Sequence, residues 1–206
     1  MKKLNLVKLH EKLEQLKKPV FTPQDIKLFF NPSDRAISAF LNYNSKKNRL
    51  IKLKKTLYSF KNTYINPFLI ANRAYQPSYI SFETALSYYH LIPETVYSVT
   101  SATSKASRLW SIQQTRYIYH TIKQEAFTGY VSKTIETDQI LIALPEKALA
   151  DYYYFMYLGK IKDHNNRLNL KEINLDKLNA CLNLFKNERF KQCVKKYLFT
   201  DKSHDR

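Results

Sequence analysis

The chain has 206 residues, is 44% apolar, and carries 34 Lys and Arg against 17 Asp and Glu, a formal charge of +17. That is enough apolar chain to bury a core in one or two domains, and the charge excess points to a polyanionic partner, nucleic acid ahead of a membrane surface. No run of about 18 apolar residues occurs, which excludes a bilayer-spanning helix. The basic start is broken by charge throughout and lacks a cleavage site, so the expected location is cytoplasmic.

The charge is uneven. Residues 1–60 hold 14 Lys and Arg against 4 Asp and Glu, net +10, and residues 61–206 hold 20 against 13, net +7. The N-terminal part is therefore the expected nucleic-acid-facing half. With only 2 glycines, tight turns must use Asn, Asp and Pro.

In chain order, Leu6, Leu9, Leu13 and Leu16 recur at helical spacing, with Lys8 and Lys12 on other faces, and Pro19 ends this first helix. Phe21 to Asp25 reads as a helix start, with Thr22 as N-cap, Pro23 at the first helical position and Asp25 in the first turn. That second helix reaches about Phe30, where Asn31-Pro32 stops it. Ser33 caps a third helix through about Tyr43, with Ile37, Phe40 and Leu41 on its buried face. Arg49 to Phe60 then alternates, with Ile51, Leu53 and Leu57 apolar and Lys52 and Lys54 basic, the pattern of a β-hairpin. Helix, helix-turn-helix and basic hairpin within 60 residues is the order of a winged helix-turn-helix.

A reading surface follows from the spacing. Arg35, Ser38 and Asn42 lie at i, i+3 and i+7, away from Ile37 and Leu41. In a major groove Arg suits guanine, Asn suits adenine and Ser is ambiguous. Lys46, Lys47, Arg49, Lys52, Lys54 and Lys55 are the candidate phosphate contacts. The alternative for each is an ordinary solvated surface charge.

The join is expected near residue 62, giving a domain of residues 1–61 and a second of 62–206. Phe68, Leu69, Ala71 and Asn72 begin a helix that leads to Tyr75–Glu94, where Pro77 reverses the chain and Ser78, Tyr79 and Ile80 form a short strand. Ser81 N-caps a helix through Phe82, Ala85, Leu86 and Tyr89, its side chain accepting a free backbone N–H. A strand is expected over Glu94–Thr103, a loop over Ser104–Ser111, strands at Tyr117–Tyr119, Tyr130–Ser132 and Gln139–Ala143, and a helix from Pro145. From Asp163 a polar tail precedes two helices striped by Leu178, Leu182, Phe185 and by Phe190, Val194, Tyr197, Leu198; the last residues are expected to fray. The fold class is α+β: an N-terminal winged helix-turn-helix, then a mixed α/β domain with a small sheet and C-terminal helices.

Signs of catalysis are sparse. The five His share no metal-ligand interval, Cys181 and Cys193 lack a CxxC frame, and no phosphate-binding glycine loop or nucleophile elbow is present. Glu146 and Asp151 are five apart and do not share a helix face, while Lys147 and Asp151 read as a surface i,i+4 pair. Neither enzyme, metal nor cofactor is expected.

The stretches YQPSYISFETALSYYHLIPE (Tyr75–Glu94) and ALPEKALAD (Ala143–Asp151) resemble the C-terminal domain of the AbiE-type abortive-infection antitoxins, and the basic block before them is similar to that family's N-terminal half. The resemblance spans roughly residues 20–160. The family commonly has Gly after the third helix and at the wing tip, where Asn48 and Thr56 stand here; Asn tolerates positive φ and Thr does not, so a longer or differently shaped tip is expected. The resemblance implies a repressor of its own toxin–antitoxin operon, acting in phage defence. Its winged helix would bind double-stranded operator DNA at inverted repeats. Its second domain would counter a nucleotidyltransferase toxin without a stable complex, acting on the toxin or on its RNA target. Lys105, Arg108, Arg116 and Lys147 are the candidate basic face of that second domain. Two other classes compete: a stand-alone winged-helix regulator whose second domain senses a ligand or dimerises, and an RNA-binding protein using its basic, tyrosine-rich surface.

Overall fold

Each of the first three helices is started by a side chain that satisfies a free backbone N–H. In the computed structural model, which describes residues 4–112, 114–161 and 167–201, Asn5 accepts from Val7 and Lys8 N–H at 2.8 and 3.2 Å and opens α1 (Leu6–Gln15). Thr22 and Asp25 form a reciprocal capping box at the head of α2 (Pro23–Phe30), and Asn31, at φ 48, closes it in the left-handed region. Ser33 caps α3 (Asp34–Lys46). α3 runs beyond the expected end at Tyr43, and Asn44 on its inner face donates to the Phe40 carbonyl at 2.8 Å. Leu16 falls outside α1 and is exposed, so the buried stripe of that helix is Leu9 and Leu13 alone.

The hairpin pairs β1 (Leu50–Lys54) antiparallel with β2 (Leu57–Phe60). The register runs from Leu50↔Phe60 to Lys52↔Tyr58 and then slips to Lys54↔Leu57, leaving Leu53 as an extra residue. This bulge turns Leu53 inward with Leu50, so Ile51, expected in the core, is only half-buried. The tip is the two-residue connection Lys55-Thr56, and the positive φ of this segment sits at Asn48 (φ 57). Phe21 and Tyr58 exchange backbone hydrogen bonds of 2.9 Å, which ties the start of α2 to the hairpin over a core of Leu9, Ile26, Ile37, Leu41 and Leu50.

α4 (Pro67–Ala74) opens where Asn66 accepts from the Phe68 N–H at 2.9 Å. Its last carbonyl, on Ala74, accepts from Lys54 Nζ at 2.8 Å. The first compact unit therefore extends to Ala74, rather than to residue 61, and includes Ile135–Asp138, where Glu136 accepts from Tyr64 and Asn66 at 3.3 Å each.

The second unit is built on β3 (Ser78–Ile80), β4 (Ser98–Thr103), β5 (Arg108–Ile112), β6 (Thr115–Thr121), β7 (Tyr130–Ile135) and β8 (Asp138–Ala143), in the order β5-β6-β4-β3-β8-β7. β3 pairs antiparallel with β4 and parallel with β8, β4 pairs parallel with β6, and β5 pairs antiparallel with β6. The expected strand over 94–103 begins only at Ser98, and it is buried on both faces because it lies inside the sheet. The segment expected as a loop is instead β5, held by stacking of Trp110 on Tyr117 with ring centroids 4.4 Å apart.

Three helices follow the sheet: α6 (Pro145–Tyr157), α7 (Leu175–Asn183) and α8 (Glu188–Asp201). Residues 162–166 and 202–206, which include the start of the polar tail and the end expected to fray, lie outside the described residues. α6 is buried from Glu146 to Phe155.

Its charged pair corrects the surface reading: Lys147 and Asp151 are both 0% exposed. Lys147 donates to Asp151, whose other oxygen accepts from Ser81 Oγ at 2.7 Å and Tyr79 OH at 3.1 Å. Lys147 Nζ also lies 5.2 Å from the Phe185 ring centre and 5.6 Å from that of Tyr79. Burial, with the Asp151 carboxylate adding to it, holds the Tyr79 phenol well above its ordinary pKa.

This network changes α5 (Phe82–Tyr88). Ser81 stands at the N-cap position, but its hydroxyl serves Asp151 and makes no cap bond. Thr100 of β4 accepts from the Thr84 N–H at 3.1 Å in its place. Phe82, at φ 56, is fully buried, edge-on to Phe155 and to His120 at 4.9 Å each.

Two measurements test this core. Removing one partner of a buried ion pair strands the other, so Asp151→Ala should cost about 3–5 kcal/mol in urea unfolding, with Lys147→Met/Asp151→Leu recovering much of the loss. A loss below about 1 kcal/mol for Asp151→Ala would match a surface pair instead. The second concerns His120, whose pKa is pushed below its ordinary 6.5 by burial, with the Lys160 charge adding to it. A folded value below the unfolded one means that its contribution is whole above 6.5 and drains away as pH falls through the folded value. Between about pH 7 and pH 5, native protein should therefore lose more urea stability than His120→Phe does.

Candidate nucleic-acid interface

The hydrophobic side of α3 is used up on the core: Ile37, Leu41 and Asn44 are buried. What remains outward is Arg35, Ser38, Asn42 and Lys46, all exposed and at steps of three or four residues along one stripe. The structure therefore brings the three expected reading residues together. It adds two that spacing within the sequence had left aside: Ala39 and Tyr43, both exposed, fall on the same side of α3, and Tyr43 retains 55% of its surface. Their signal was present, since both lie within about 100° of Arg35 at 100° per residue. A small apolar side chain and an aromatic suit contact with a thymine methyl and with sugar or base edges.

Lys47 and Arg49 follow on from α3 and are exposed, as are Lys52 and Lys55 on the hairpin. Asp34 at the start of α3 is paired with Lys27 at 2.7 Å, which balances the one carboxylate in that first turn. Lys54 differs from its neighbours. It is half-buried, and its ammonium bonds the Ala74 carbonyl, so it ties α4 to the hairpin. A cation at a helix C-terminus is also favoured by the helix dipole.

The candidate face on the second unit does not assemble. Lys147 is buried in the ion pair, which removes it from any surface. Lys105, Arg108 and Arg116 are exposed. However, Arg108 pairs with Tyr119 and Arg116 with Ser111, at different heights of the β5–β6 ladder. With side chains alternating along a strand, Arg108 shares a face with Trp110 and Tyr117, and Arg116 lies on the other. They are separate charges on a ribbon.

Among the described residues no group of three or more His, Cys, Asp or Glu is placed to hold a metal ion, and no helix is long and apolar enough to cross a membrane. A scan against protein-family models matches none, and a search of curated proteins finds no similar one.

The two hairpin lysines should separate in the laboratory. Lys54→Ala removes a hydrogen bond within the first unit and should cost about 1 kcal/mol in urea unfolding, whereas Lys52→Ala should change stability by less than about 0.5 kcal/mol. Equal stabilities for the two variants would show that the Lys54 bond to Ala74 contributes nothing.

Proposed function

We propose that this chain is a sequence-specific duplex-DNA-binding regulator whose first unit acts as a winged helix-turn-helix. α3 enters the major groove and the β1–β2 hairpin is the basic wing. The observation that carries this reading is the exposed stripe Arg35, Ser38, Asn42 and Lys46 on a helix whose opposite face is core, flanked in the same unit by exposed Lys47, Arg49, Lys52 and Lys55. The cations supply affinity through phosphates and the stripe supplies sequence discrimination.

The finer reading is an antitoxin that represses its own toxin–antitoxin operon at inverted repeats in duplex DNA. It would counter a nucleotidyltransferase toxin in phage defence without forming a stable complex. Its support is the resemblance of Tyr75–Glu94 and Ala143–Asp151 to the AbiE-type antitoxins. Those two stretches meet at one carboxylate, Asp151, through Tyr79 and Ser81 on one side and Lys147 on the other. Lys147 belongs to the core of the second unit rather than to the antitoxic surface.

Binding to duplexes from the chain's own promoter, measured by fluorescence anisotropy across salt concentrations, tests both levels. Lys52→Ala with Lys55→Ala should weaken cognate and random duplex alike and flatten the log–log salt slope by about two. Asn42→Ala should cost about 1–3 kcal/mol on the cognate site only. In cells expressing a nucleotidyltransferase toxin from a gene adjacent to this one, the lysine variant should lose repression and keep growth rescue at matched protein levels. Equal losses on both duplexes for Asn42→Ala would remove α3 as the reading helix, and absence of rescue by native protein would remove the antitoxin reading.

A further inference from the structure

An open cleft of about 370 Å³ lies within the first unit, between α1 and the base of the β1–β2 hairpin. That volume falls at the small end of the range for ligand sites, about 300–1,000 Å³. Two aromatic rings line it: His10 and Phe60 stand edge to face, with centroids 4.4 Å apart. Arg49 and Lys61, both exposed, line it as well, with Asn62 and Thr63 beside Lys61. A backbone bond of 3.1 Å from the Lys61 N–H to the Arg49 carbonyl sets the two residues beside each other at the base of the hairpin. No Asp or Glu is among the lining residues; Glu14 pairs with His10 at 3.4 Å from outside the cleft.

Aromatic edges, a guanidinium, an ammonium and neutral hydrogen-bonding groups, without a carboxylate, match one ligand chemistry: a planar ring that carries a phosphate. His10, with 41% of its side chain exposed, offers ring contact, and the cations pair with phosphate oxygens. A duplex would leave the aromatic pair idle, since its bases are already stacked. We infer that this cleft binds a nucleoside monophosphate group, either a free nucleotide or the 5′-phosphorylated end of a single strand. The inference goes beyond duplex binding and shares only Arg49 with that surface, so either can fail without the other.

The test is calorimetric titration of the full chain with the common ribonucleoside 5′-monophosphates, the matching nucleosides, and a short single strand with and without a 5′-phosphate. At least one monophosphate should bind saturably at one site, and its nucleoside about tenfold more weakly or worse. Lys61→Glu should lower that affinity by about tenfold or more, and Lys171→Glu, an exposed charge outside the cleft, should not. Thermal melts establish that both variants are folded; Lys61→Met replaces Lys61→Glu if the latter is not. Binding confined to the phosphorylated strand, with the same dependence on Lys61, identifies a strand end as the source. No saturable binding of either probe, binding indifferent to Lys61, or an effect of Lys61→Glu on duplex affinity alone would overturn the inference.

Discussion

The second unit depends on a buried carboxylate. Asp151 cannot be dehydrated alone, because an isolated charge in a protein interior costs several kcal/mol. Its neighbours are the residues that make burial tolerable: Lys147 one helical turn back supplies the counter-charge, and Tyr79 of β3 and Ser81 just after it supply hydrogen bonds. The Lys147 stem needs room, and it runs past Gly129, where an added Cβ would come within 3.0 Å of Lys147 Cγ. Gly129 also has φ 79, so one of the chain's two glycines is required twice over. Such a network joins α6 to β3 in one register, because a slip of one residue along the strand would turn Tyr79 and Ser81 away from Asp151.

Its consequences spread outward. With Ser81 committed to Asp151, the first turn of α5 would have an unsatisfied N–H, and Thr100 on the neighbouring strand satisfies it while donating to the Ser81 carbonyl at 2.7 Å. The sharp entry into α5 places Phe82 in the left-handed region, which costs a non-glycine residue about 1–2 kcal/mol. Full burial of its ring, worth about 1.5–3 kcal/mol, offsets that cost. The exchanged cap thus follows from one charged side chain placed in the core.

The first unit was legible where its determinants are local. Thr22-Pro23 with Asp25, Asn31-Pro32 and Ser33 mark helix ends by short-range hydrogen bonding, and the structure uses each as expected. The outward face of α3 was legible for the same reason, since helical spacing decides which residues oppose Ile37 and Leu41. What could not be read is what depends on distant partners. A Lys and an Asp four apart look alike on a solvated helix and in a core; only Tyr79 and Ser81, some seventy residues away in sequence, decide between them. β5 was hidden because RLWSI is short and flanked by polar residues, and its strand identity comes from β6. The bulge at Leu53 and the bond from Lys54 to Ala74 are likewise tertiary, and together they moved Ile51 out of the core and α4 into the first unit.

Charge counts behave in the same way. They establish how much positive charge each part of the chain carries, and they leave open whether it forms a surface. In the first unit the core claims the apolar faces of α3 and the hairpin, so Arg35, Lys46, Lys47, Arg49, Lys52 and Lys55 are turned outward, with Lys54 held on the Ala74 carbonyl. In the second, a comparable number of Lys and Arg residues is spent differently: Lys147 inside the core, Lys123 on the Phe185 carbonyl at 3.0 Å, Lys133 over the rings of Tyr88 and Tyr89, and Arg108 and Arg116 on opposite sides of a ribbon. Net charge alone would assign both units the same kind of partner. Among the described residues, α3 and the hairpin of the first unit carry exposed cations on neighbouring elements, whereas Arg108 and Arg116 of the second lie on opposite faces of their ribbon.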